Sequence, residues 1–131
     1  MNLQSTDPEY TQRLGAFLEE VRNEPDSMLE STTRWLAILA TLTGNGSVDA
    51  YKEALPQALQ EGLDPVAVKE MVYQATDYLG YGRTLPFLHA TNDALTAAGI
   101  ALPLPGQATT TMNDRLEKGI AAQVKIFGEH M

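Results

Sequence analysis

Cysteine is absent from the 131 residues. That excludes disulfides, thiolate metal sites, cysteine nucleophiles and thiol-based peroxidase chemistry. Basic residues are scarce too: nine Lys and Arg stand against 17 Asp and Glu, a formal net charge of −8. A chain so acidic lacks the positive surface that a phosphate backbone or an anionic membrane requires, so neither nucleic acid nor membrane is an expected partner. No apolar run approaches the roughly 18 residues needed to cross a bilayer. The start, "MNLQSTDPEYTQR", is polar and acidic and does not read as a secretory leader. A soluble, cytoplasmic, single-domain protein over residues 1–131 is expected.

Alternating runs of β-branched residues are also missing, and the apolar pattern has helical period almost throughout. Six helices are predicted. The first spans about Pro8 to Arg22, capped by Asp7, with Leu14, Phe17, Leu18 and Val21 in one stripe. The second, Glu30 to Thr43, carries Trp35, Ile38, Leu39 and Leu42 and is expected in the core. The third, Val48 to Glu61, ends at a left-handed Gly62 clasped by Leu63. The fourth begins at Asp64-Pro65 and stops at Leu79-Gly80. The fifth runs from about Gly82 to Ala98 with Leu85, Leu88 and Leu95 inward. Residues 100–111, "IALPLPGQATTT", are too rich in Pro, Gly and Thr for a helix and read as an extended arm. A last helix, about Asn113 to Phe127, has Leu116, Ile120, Val124 and Phe127 along one face, inside a C-terminal segment 112–131.

The stretch at residues 77–90, "DYLGYGRTLPFLHA", carries the strongest functional signal. Gly80 and Gly82 make a turn between two helices, and Pro86 falls in the first turn of the next. Arg83 follows those glycines, and its guanidinium suits a bidentate grip on a carboxylate. A salt bridge with Asp77 is its structural alternative. Histidine is the residue type suited to moving a proton at neutral pH, which makes His89 a candidate for proton transfer. It lies six residues, about 9 Å along a helix axis, from Arg83. It is expected to point partly inward beside Leu85 and Asn92, which also fits a hydrogen-bonded structural histidine. Glu70 and Gln74, at i, i+4, share a helix face, with Arg34 a candidate ion-pair partner for Glu70.

Together "TTRWLAILATLTGNG", "YKEALPQALQEGLDPVAVKEMVYQATDYLGYGRTLPFL" and "RLEKGIAAQVKIFG" resemble the carboxymuconolactone decarboxylase family, over roughly residues 10–98. The most specific portion holds Gln74, Tyr78, Gly80, Tyr81, Gly82 and Arg83, matching a Tyr-x-Gly-aromatic-Pro-Arg motif. The resemblance implies the all-helical fold shared with alkylhydroperoxidase D proteins and a homo-oligomer, commonly a trimer or hexamer. It implies cofactor-independent chemistry on a small carboxylated, lactone-type anion, with neither metal nor organic cofactor. Decarboxylation needs cationic or hydrogen-bonding groups for the developing negative charge and a group that delivers a proton at carbon.

On that reading Arg83, Tyr51, Gln74 and Tyr78 contact the substrate, and His89 or Glu53 moves the proton. Glu53 stands close to where decarboxylases place a histidine; a solvated surface carboxylate is its plainer reading. Tyr51 is spaced with Leu55 as a core residue, and Tyr78 equally fits a core or interface. The chain departs from the family pattern at three points. It lacks the Cys-x-x-Cys pair of the peroxidase branch, no histidine lies near Glu53 to Leu55, and Gly82 replaces the proline before the arginine. These departures leave a second reading open, a helical oligomer that binds a small ligand or acts as a scaffold without catalysis. Hydroperoxide reduction has no mechanism without a thiol.

Overall fold

A computed structural model describes residues 2–24 and 29–128. Among these residues the protein is all-helical, with seven helices and no strand. They are α1 (Leu3–Thr6), α2 (Pro8–Arg22), α3 (Ser31–Gly44), α4 (Val48–Gln60), α5 (Pro65–Leu79), α6 (Tyr81–Ala97) and α7 (Arg115–Phe127). The short α1 is an addition to the six expected. None of the described helices is long and apolar enough to cross a membrane. His130, the second histidine, lies outside the described residues.

Helices α3 to α6 pack on one another: α3 against α4 and α5, and α6 against α4 and α5. Their shared core holds Trp35 and Leu39 from α3, Tyr51 and Leu55 from α4, Val68 and Val72 from α5, and Phe87 and Ala90 from α6. Local signals set the α4–α5 connection. Gly62 has φ of +93°, a region open to glycine, and the Leu63 amide donates to the Ala58 carbonyl at 3.0 Å while Leu63 is buried. The Asp64 carboxylate then accepts from the Val66 amide at 3.1 Å, capping α5, with Pro65 in the first turn.

Four local expectations need correction. Asp7 makes no side-chain cap on α2; its carboxylate accepts from the Thr6 hydroxyl at 2.6 Å instead. At the α5–α6 joint Gly80 alone takes a positive φ, +82°, while Gly82 lies within α6. Because α6 already starts at Tyr81, Pro86 sits in its second turn. The inward face of α6 also differs: Thr84, Phe87, Ala90, Thr91 and Leu95 are buried, whereas Leu85 and Leu88 are only half-buried. The threonines tolerate the core because their hydroxyls are satisfied there. Thr91 donates to the Phe87 carbonyl at 2.8 Å, and Thr84 bonds the Tyr81 carbonyl and Thr76.

The apolar stripes of α2 and α7 bury no residue. Phe17, Leu18 and Val21 on α2 and Leu116, Ile120 and Phe127 on α7 are all exposed. Residues 100–114 between α6 and α7 are irregular, as expected of the arm. The arm holds α7 at its start: Lys118 pairs with Asp114 at 2.7 Å and donates to the Thr109 carbonyl at 2.9 Å.

Candidate functional site

The α5–α6 joint brings Arg83 to the mouth of a cleft of about 380 Å³. One wall is the end of α3 and the loop after it, Thr43 to Gly46; the other is Leu79, Pro86 and Phe87. This loop is a part of the site that sequence reasoning missed, although its Asn-Gly turn chemistry was visible. Local hydrogen bonds brace this wall. The Asn45 side chain accepts from the Ser47 amide at 3.1 Å, and the Thr43 hydroxyl donates to the Leu39 carbonyl at 2.8 Å. Arg83 is exposed and makes no ion pair among the described residues, so the alternative, a bridge to Asp77, is not made. Arg83 thus lines the cleft without an ion-pair partner among the described residues.

Gln74 and Tyr78 line a neighbouring, mostly apolar depression of about 310 Å³, with Ala40 and Met71. The two depressions share Gly44 and Leu79, so Arg83, Gln74 and Tyr78 surround one stretch of surface. Tyr78 is 81% exposed, which leaves its ring free to lie over a ligand or another surface.

Tyr51 is placed differently. It is fully buried, its ring meets Phe87 edge-on at 5.2 Å, and its hydroxyl lies 2.8 Å from the Thr91 hydroxyl. Burial pushes its phenol above the ordinary tyrosine range, partly offset by Thr91, so it stays protonated. It supports the cleft from beneath, through Phe87, and does not open onto it.

His89 and Glu53 line neither depression. Both are exposed, and His89 does not point inward as expected. The threonine-bearing face of α6 turns toward the core, and the six-residue step from Arg83 sets His89 about 120° away around the axis. Arg34 and Glu70 form no ion pair. Among the described residues no group of three or more His, Asp or Glu is arranged to hold a metal. The geometry thus places a cation in one depression and an amide and a phenol in the adjoining one, with neither His89 nor Glu53 beside them.

Comparison of the chain with protein-family models, with curated proteins and with solved structures finds no match.

Proposed function

We propose that this chain is a helical small-anion-binding protein of the carboxymuconolactone decarboxylase type, holding a small carboxylated compound at the α3–α5–α6 cleft. The observation that supports this reading is Arg83 at the cleft, without an ion-pair partner among the described residues, with Gln74 and Tyr78 lining the adjoining depression. A charge-assisted, bidentate grip on a carboxylate is the interaction such a group makes best. The exposed apolar stripes of α2 and α7 support self-association into a homo-oligomer, trimer or hexamer. The cysteine-free, acidic composition supports a cytoplasmic location.

Decarboxylation is the second reading, favoured by the motif that ends in Arg83. Its proton would have to come from His89 or Glu53, and neither lines the cleft. One experiment separates the two. Binding and ultraviolet-monitored turnover of 4-carboxymuconolactone are measured for the wild type and for Arg83→Ala, His89→Ala and Glu53→Gln, with oligomeric state read by sedimentation. The binding reading expects no turnover and affinity lowered about tenfold or more in Arg83→Ala alone. Turnover lost in His89→Ala or Glu53→Gln would establish the enzyme. Undiminished binding by Arg83→Ala would overturn the role given to the cleft.

A further inference from the structure

On another side of α5 a larger cavity, about 650 Å³, lies between α5, α6 and the irregular segment 102–108. It shares no lining residue with the Arg83 cleft. Lys69 reaches into it from α5. Its neighbour Val68 is fully buried in the core, so Lys69 sits at the edge of the apolar stripe, and only 9% of it is exposed.

The partners of this buried ammonium are both neutral. Nζ donates to the Asn92 side-chain oxygen at 2.6 Å and lies 5.5 Å from the centre of the Tyr73 ring. Among the described residues no carboxylate comes within ion-pair distance, and Glu70, although it lines the same cavity, does not pair with it. An ammonium carries three donors. Here one is used by a protein acceptor. Withdrawing such a charge from water is unfavourable unless an anion and further hydrogen bonds offset it. An amide and a ring supply only part of that compensation. The two remaining donors can turn into the cavity, where a carboxylate would supply the opposite charge.

We propose that this cavity is a second binding site, for a monocarboxylate with a flat apolar body such as a small aromatic acid. The carboxylate accepts from Lys69 Nζ and from the Asn92 side-chain amide, whose oxygen already faces the ammonium. The body lies against Tyr73, Val66, Leu102 and Leu104. A second carboxylate on the ligand is disfavoured, because Glu70 lines the same space and the chain is acidic overall. The volume falls within the range of ordinary small-molecule pockets.

The test is calorimetric titration with benzoate, with benzyl alcohol as its neutral counterpart and with phthalate as a dianion. Wild type and Lys69→Met are compared, with folding of the variant checked by circular dichroism. Benzoate is expected to bind the wild type, and benzyl alcohol and phthalate to bind about tenfold or more weakly. Lys69→Met is expected to fold and to lose benzoate binding to the same degree. Undiminished benzoate binding by Lys69→Met would overturn the proposal, and this is also what binding at the Arg83 cleft would produce. Equal affinity for benzoate and benzyl alcohol, tighter phthalate binding, or no benzoate binding at millimolar concentration would each overturn it as well. Should the variant misfold, Arg83→Ala takes its place: benzoate binding kept by Arg83→Ala is expected, and its loss there would overturn the proposal.

Discussion

Two hydroxyls meet between α4 and α6, and their removal has unequal consequences. Thr91 commits its hydrogen to the Phe87 carbonyl, so the Tyr51 hydroxyl is the donor in their 2.8 Å contact. Tyr51→Phe removes a donor and leaves Thr91 bonded to its own helix; the expected loss is about 1 kcal/mol. Thr91→Val keeps the shape but strands the buried Tyr51 hydroxyl, so the loss should be larger, about 2 kcal/mol. Urea unfolding of the two variants checks the order, and a reversed order would mean the donor has been misassigned. A second residue-scale prediction concerns Glu61. It accepts from the Trp35 indole at 2.7 Å, from Ser31 and from Gln57, and the Trp35 bond is the chief reason its carboxyl lies below the ordinary range. A depressed carboxyl stabilises the fold above its unfolded value, and that contribution disappears as pH falls through the folded value. Trp35 is the sole tryptophan. Its fluorescence should therefore change below the ordinary glutamate range on acidification, and Glu61→Gln should abolish that step.

At the level of elements, α2 and α7 differ from the helices they flank. Their stripes bury nothing, so Phe17→Asp and Ile120→Asp should change core stability by no more than about 0.5 kcal/mol, whereas Leu39→Ala or Leu55→Ala should cost about 2–5 kcal/mol. Chemical denaturation followed by Trp35 emission measures both. The bounds of these helices were legible in the sequence because caps and stops are local: Asp64-Pro65 opens α5, and Gly62-Leu63 closes the turn before it. Which face of α6 turns inward was not legible. Thr84 and Thr91 read as polar, but self-satisfied hydroxyls fit them for the core, and that choice rotates His89 outward. Of the candidate site, the Arg83 turn was legible from its glycines, while the loop opposite it was not, because nothing in the pattern says which loops meet. Lys69 gave no sign at all. A lysine beside valines reads as a solvated residue, and nothing in the pattern says that Asn92, Tyr73 and residues 102–108 meet around the same cavity.

At the scale of the molecule, the packed unit is α3 to α6. Amide hydrogen exchange should divide accordingly. Buried positions on α3 to α6, Leu39, Leu55, Val72 and Thr91 among them, are expected to exchange only through global opening. Amides of α2 and α7 should exchange through local fraying, far sooner. Equal protection along all the helices, in a sample shown to be monomeric, would contradict this division. Each helix of the unit packs against those next or next but one to it in the chain, and the Tyr51–Thr91 contact spans only 40 residues. Such a chain closes short loops before long ones, and the entropy of each closure is correspondingly small. Its refolding belongs in the microsecond-to-millisecond range of helical bundles, and the terminal helices should leave that rate unchanged, since the barrier is crossed without them.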